Sequence, residues 1–340
     1  MELSHGGDWA GFREKYGKLP LDFSASTTPL PMPAGMRAAV VRSLDRSDRY
    51  PDPLCRELTA ALGKKHGQSS DHILCGAGAA DLLFRLVQAK RPRRALVVEP
   101  TFSGYEEALQ TVNCQIERFF LREEDGFMLM VDHLPRITPG LDLLFLCSPN
   151  NPTGRTIPSE LLEDIRERCR QRGTLLVLDA CFGDFLPGPP QDGPFVLRSF
   201  TKWYPMAGLR LGYAVCSDEE LLKEMRRQGP PWPVSAPAQA AGLAALEEQE
   251  YSRALAALIR DQRPVLAAGL SALGCRVVPG EANFLLFFCP DTGLDGKLEE
   301  KGIMIRNCSN FPGLGPGWYR AAVRTGKENQ ALLRAMKEAL

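Results

Sequence analysis

The chain has 340 residues, of which 44% are hydrophobic and 24% charged, and its 41 basic residues balance 41 acidic ones. That length suits one large domain with a smaller one better than a single core. The charge balance removes the basic footprint of a nucleic-acid or anionic-membrane binder, and no apolar run reaches the roughly 20 residues that span a bilayer, so small molecules are the expected partners.

The N-terminal stretch MELSHGGDWAGFREKYG has no apolar segment after a basic start, so a cytoplasmic location is expected. Prolines and glycines in LPLDFSASTTPLPMP predict an extended arm over residues 1–30 rather than a packed element. A large domain is expected over 31–240. Within it the run HILC leads into Gly76-Ala77-Gly78-Ala79-Ala80-Asp81, which opens the helical pattern ADLLFRLVQ. Short β-rich runs follow: RALVVEP (94–100), CQIERFFL (114–121), LDLLFLCSP (141–149), GTLLVLDA (173–180), FVLRSF (195–200) and RLGYAVC (210–216). LLFLC and LLVLD lack polar alternation, as strands covered on both faces do. From Pro158 to Gly173 a helical face of Leu161, Leu162, Ile165 and Cys169 predicts a crossover helix. An α/β domain on a mostly parallel sheet follows. Residues 237–271 read as helix broken only around Pro264, and the remainder, within a small domain over 241–340, reads as the short strands CRVVPG, NFLLFFC, IMIRNC and YRAAVR with a closing helix. The ten cysteines are scattered with no CxxC pair, so they read as reduced, mostly buried thiols, and no metal site is expected.

Five features carry chemistry. Lys202, in Ser199-Phe200-Thr201-Lys202, stands at a strand end among hydroxyls, where desolvation lowers an amine's pKa and makes it a nucleophile toward an aldehyde; Arg210 follows in GLRLGY. Ser199, Thr201 and Arg210 are donors suited to a phosphate dianion. Taken alone, a lysine and an arginine near a strand end are more often surface charges. The turn Ser148-Pro149-Asn150-Asn151-Pro152-Thr153-Gly154 follows a buried strand, where ligands of open α/β sheets collect. Asp179 ends the next buried strand and needs a cation, which a protonated pyridine nitrogen would provide; a structural ion pair or helix cap is the plain alternative. Ala79 and Ala80 open a helix whose backbone N–H groups favour a phosphate. Phe102, in Pro100-Thr101-Phe102, is placed to stack on a ring, or simply to fill the core.

In this order and context the features resemble fold-type I pyridoxal-phosphate (PLP) enzymes of the aminotransferase class I/II family, across the whole chain. The resemblance implies an α/β PLP-dependent transferase (aspartate-aminotransferase) fold, a large domain with a mostly parallel sheet plus a smaller C-terminal α/β domain. It implies pyridoxal 5'-phosphate held by Lys202 as a Schiff base, with Asp179 on the pyridine nitrogen, Asn151 on the phenolic oxygen and Phe102 on the ring. Ala79, Ala80, Ser199, Thr201 and Arg210 would hold the phosphate, with Tyr50 of Arg49-Tyr50-Pro51 reaching across from a second subunit of a homodimer. Within the family the terminal strings His5-Gly6-Gly7, Leu21-Asp22-Phe23-Ser24-Ala25 and Ile305-Arg306-Asn307-Cys308-Ser309-Asn310-Phe311-Pro312-Gly313-Leu314 resemble threonine-phosphate decarboxylases of cobalamin biosynthesis. Phe182 fits that group, because histidinol-phosphate aminotransferases usually have a tyrosine there. By resemblance Arg320 is the carboxylate fork, and Arg306 and His5 face the substrate phosphate. Ser26 and Thr28 stand where the relatives have asparagine, Ala77 and Asp81 alter the glycine turn, and Ala180 replaces a glutamate, so serine phosphate is a second candidate substrate. The alternatives are a histidinol-phosphate type of aminotransferase and a PLP-sensing regulatory module, the latter without a DNA-binding segment in this sequence.

Overall fold

A computed structural model describes residues 5–340. Seven strands form the central sheet in the spatial order Ile73–Gly76, Gly212–Val215, Phe195–Ser199, Leu175–Asp179, Leu143–Cys147, Arg94–Glu99, Gln115–Phe120. All neighbours run parallel except at Gly212–Val215, which is antiparallel to the strands on both sides. Leu143–Cys147 is buried along its whole length, which explains its unbroken apolar sequence; Phe195–Ser199 is equally buried although it ends in Arg198 and Ser199. Helices Ala79–Lys90, Gly104–Gln110 and Glu219–Arg227 cover one face, and Ser159–Arg172 covers the other. That crossover helix buries Leu161, Leu162, Ile165 and Cys169 as its spacing predicts, and Gly173 ends it at φ 68°.

A second sheet of four antiparallel strands runs Arg306–Asn307, Trp318–Ala322, Phe284–Phe288, Arg276–Val277. Two helices lead into it, Ala236–Glu247 and Gln249–Ala272. The break therefore falls at Glu248, whose ψ of 66° leaves the helical region, and Pro264 lies inside the second helix instead of interrupting it. Pro264 is on the exposed face, where the carbonyl that its missing N–H leaves unpaired can meet water.

The N-terminal segment also departs from expectation, because much of it is packed. Trp9–Tyr16 is an α-helix capped by Asp8, and Leu21–Asp22 pairs in parallel with Ile303–Met304. Phe23 is fully buried, and Asp22 gathers Trp9 Nε1 (2.7 Å), Ser24 N (2.7 Å) and Ser24 Oγ (2.6 Å). Proline-rich composition keeps this chain extended, but a single strand pairing and one buried ring suffice to fix it. All ten cysteines are free, and all but Cys114 and Cys181 are buried. Among the described residues no helix is long and apolar enough to cross a membrane.

Glu99, at the end of the Arg94–Glu99 strand, is buried and its Oε2 accepts a 2.8 Å hydrogen bond from Thr101 N. Burial pushes its carboxyl up from 4.5 to about 7, with Glu106 adding to the rise and the Thr101 bond and Arg118 opposing it. The folded state thus holds a proton that the unfolded chain releases, so this contribution is complete below about pH 4.5 and is lost as pH rises through about 7. Urea unfolding followed between about pH 5 and pH 8 should show stability falling by up to about 3 kcal/mol, and Glu99→Gln, which keeps the shape without the charge, should flatten that slope.

Candidate active site

The carboxyl ends of the parallel strands meet the second sheet and the N-terminal segment around a cavity of about 320 Å³. This is where open α/β sheets bind ligands, since the loops leaving the strands carry polar groups that no ladder partner satisfies. Lys202 lies in the short helix Phe200–Trp203, which begins as the Phe195–Ser199 strand ends; Ser199 Oγ caps it through Thr201 N (3.2 Å) and pairs with Thr201 Oγ1 (2.7 Å). The Lys202 amine sits 5.6 Å from the Phe182 ring centre. Burial lowers its pKa, Arg320 and Arg210 lower it further, and Cys181 and Asp179 counter only in part, so the amine gives up its proton more readily than an ordinary lysine.

Asp179 ends its strand buried in the cavity wall. Its Oδ2 accepts from Tyr105 Oη at 2.6 Å and its Oδ1 from Cys181 N at 2.9 Å. Sequence reasoning missed Tyr105; the only signal was its position three residues after Phe102 at the start of a helix. Phe102 lines the same cavity, edge-on to Tyr105 at 5.6 Å and 5.7 Å from the His5 ring. Gly104 makes room for it: a Cβ there would come within 2.3 Å of Phe102 Cε1. The loops bearing Phe102 and Asn151 are tied together by Asn150, which accepts from Thr101 Oγ1 (2.8 Å) and donates to the Pro100 carbonyl (2.9 Å) and Thr153 Oγ1 (3.0 Å).

At one end of the cavity, Ala79 and Ala80 open the helix Ala79–Lys90 beside Ser199, Thr201 and Arg210. Gly78 has φ 92°, and a Cβ on it would lie 2.7 Å from Arg210 Nη2, so glycine is needed for the guanidinium to lie over the turn. Asp81 holds the turn from below, accepting from Ala77 N (2.9 Å) and from Arg85 Nε (2.8 Å). Backbone amides at a helix N-terminus, two hydroxyls and a guanidinium together suit a phosphate. These residues fit pyridoxal phosphate: a buried carboxylate for the ring nitrogen, a desolvated lysine for the aldehyde and a phosphate cradle that a Cβ would fill.

At the other end lie His5, Ser26, Arg306 and Arg320. Arg306 and Arg320 face each other directly across neighbouring antiparallel strands. Arg320 is buried, donates to Asn151 Oδ1 and to the Ser24 carbonyl (2.9 Å), and leaves Nε without a partner among the described residues. Burial pulls its pKa down to about 10, so it is still a cation at neutral pH. Arg306 donates to Asn310 Oδ1 at 2.8 Å and lies 5.3 Å from the Phe311 ring centre. Ser26 Oγ is buried and likewise has no partner among the described residues. Thr28 lies apart from these, bonded to Tyr251 Oη at 2.6 Å. Tyr50 stands outside its own chain's cavity, 77% exposed and stacked on Trp232 at 4.2 Å.

Residues 21–336 match the family described as aminotransferase class I and II. The threonine-phosphate decarboxylase of Salmonella typhimurium is 40% identical, over 99% of this chain and 96% of that protein. The histidinol-phosphate aminotransferase of Paramagnetospirillum magneticum is 33% identical, over 85% of this chain and 83% of its own. Among solved structures, the histidinol-phosphate aminotransferase of Clostridium acetobutylicum superposes with a TM-score of 0.87 at 23% identity, covering 93% of this chain and 98% of that one, a likeness of fold. With the family's sequence pattern running through nearly the whole chain and its fold around this cavity, the protein belongs to the class I and II aminotransferase family.

Proposed function

We propose that the protein is a cytoplasmic, homodimeric PLP enzyme that decarboxylates L-threonine O-3-phosphate, with L-serine O-phosphate as the second candidate, to an amino-alcohol phosphate of the kind used in cobalamin biosynthesis. The observation that carries this is the opposed pair Arg306 and Arg320. Like charges directly across a ladder are destabilising, and bound anions offset the repulsion. A phosphorylated amino acid brings two anionic groups to these two cations, the carboxylate to Arg320 and the phosphate to Arg306 and His5. Similarity to the Salmonella decarboxylase over almost the whole chain supports the same substrate class.

Bound pyridoxal phosphate supplies an electron sink for the pair released when a bond at the substrate Cα breaks. The chain's own residues choose that bond. Arg320, held by the Ser24 carbonyl and by Asn151, grips the carboxylate and turns its bond to Cα out of the plane of the conjugated system. Phe182 presents an apolar ring toward Lys202, with no hydroxyl to compete for the amine. Lys202 then delivers a proton to Cα. Ser26 Oγ and Arg320 Nε, both buried without partners among the described residues, remain to bond the substrate. The second reading is transamination, favoured by the similarity to histidinol-phosphate aminotransferases; histidinol phosphate has no carboxylate, so it would bring one anionic group instead of two to this end of the cavity.

Threonine phosphate incubated with PLP-loaded enzyme should give carbon dioxide and 1-aminopropan-2-yl phosphate over many turnovers without any keto acid. A single turnover ending in pyridoxamine phosphate, rescued only by 2-oxoglutarate, would instead establish transamination. Borohydride should attach the cofactor to Lys202, as read by peptide mapping, and Lys202→Ala should lose the attachment.

A shared site makes a separate claim on assembly. If the exposed Tyr50 completes the phosphate cradle of a second copy, Lys202→Ala chains mixed with impaired Tyr50→Phe chains should regain activity, since one site of each heterodimer carries both native residues. Proven heterodimers that stay inactive would exclude the exchange.

A further inference from the structure

Tyr105 has no place in the chemistry described above, yet its hydroxyl lies closer to Asp179, the buried acid of the cavity wall, than the Cys181 amide does. It is fully buried, and its ring is clamped, stacked on Phe145 at 5.1 Å and 8° and edge-on to Phe102 at 5.6 Å and 85°. Its hydroxyl donates to Asp179 Oδ2 at 2.6 Å, while Cys181 N occupies Oδ1 at 2.9 Å. Burial and the Asp179 charge both push the phenol's pKa well up, so Tyr105 remains a donor. The other groups around Asp179 are the Cys147 and Cys181 thiols, both also held neutral by burial, and the Lys202 amine.

A buried carboxylate has lost its hydration and needs hydrogen-bond donors in its place. A neutral donor on each oxygen offsets the cost of the charge and still leaves acceptor capacity toward the cavity.

We infer that Tyr105 is a positioning residue: its hydroxyl holds the Asp179 carboxylate aimed into the cavity, and thereby sets how firmly the cofactor's ring nitrogen keeps its proton. This rests on PLP being the cofactor.

Protein loaded with PLP labelled with nitrogen-15 at the ring allows the test, because the nitrogen resonance reports its proton directly. Tyr105→Phe keeps the packed ring and removes only the donor; the nitrogen should lose its proton at a pH about one to two units lower, and kcat should fall roughly tenfold to a hundredfold with KM little changed. Replacing Tyr105 by 4-aminophenylalanine keeps the ring with a weaker donor, and should move the resonance the same way by less, which remains measurable if Tyr105→Phe fails to fold. Phe145→Leu loosens the same ring and should lower the melting temperature without moving the resonance. A resonance unchanged in both Tyr105 variants, or moved equally by Phe145→Leu, would overturn the inference. Failure of the unaltered protein to take up PLP would overturn the cofactor assignment along with it.

Discussion

The cost of burying Asp179 organises this molecule. A carboxylate at the end of a strand covered on both faces is unfavourable by several kcal/mol unless charge and hydrogen bonds compensate it. Compensation comes from the Cys181 backbone amide two residues on and from the Tyr105 hydroxyl, 74 positions away in sequence. The seven-stranded sheet makes this arrangement possible, because its parallel strands all deliver their loops to one edge. Phe102, Asn151, Asp179 and Lys202 occupy four such loop ends.

A second unfavourable element lies opposite the first. Arg306 and Arg320 share a register position on adjacent strands, and Arg320 carries its charge into a buried site where its Nε has no partner among the described residues. The two ends are complementary in what they lack: one presents a carboxylate and a phosphate cradle, the other presents guanidinium groups. A ligand assembled from a phosphorylated pyridine and a phosphorylated amino acid answers both. Stability given up at these positions is recovered in the apolar clusters beneath, where Phe145, Leu178 and Leu197 are almost wholly buried.

The N-terminal segment connects the two halves. Asp22 holds Trp9 and Ser24, Phe23 lies under Arg324 at 5.9 Å, and the Ser24 carbonyl receives Arg320. The setting of the buried Arg320 thus depends on a stretch that composition alone describes as loose. Its order comes from long-range partners, the Ile303–Met304 strand above all.

Contiguous features were legible in the sequence. The strands Leu143–Cys147 and Leu175–Asp179 announced themselves by unbroken apolar runs up to the site, and each site loop by the residues just beyond its strand. Lys202, Asp179, Asn151, Phe102 and the Ala79 turn could therefore be named from the amino-acid order alone, because a strand and its following loop are local. The helix break at Glu248 was not legible, since Pro264 is a stronger local breaker and only its exposure makes it tolerable. Tyr105 was missed for a different reason: it meets Asp179 across 74 positions of sequence, through a turn that says nothing of where its hydroxyl points. The same holds for Arg306 facing Arg320, where a slip of one residue would turn either side chain to the other side of the sheet. By itself, then, the sequence determined the fold class and the chemical kinds of residue at the strand ends, because those follow from local pattern. Only the tertiary structure decided which charges face one another and which hydroxyl supports the buried acid, because register and packing set those distances.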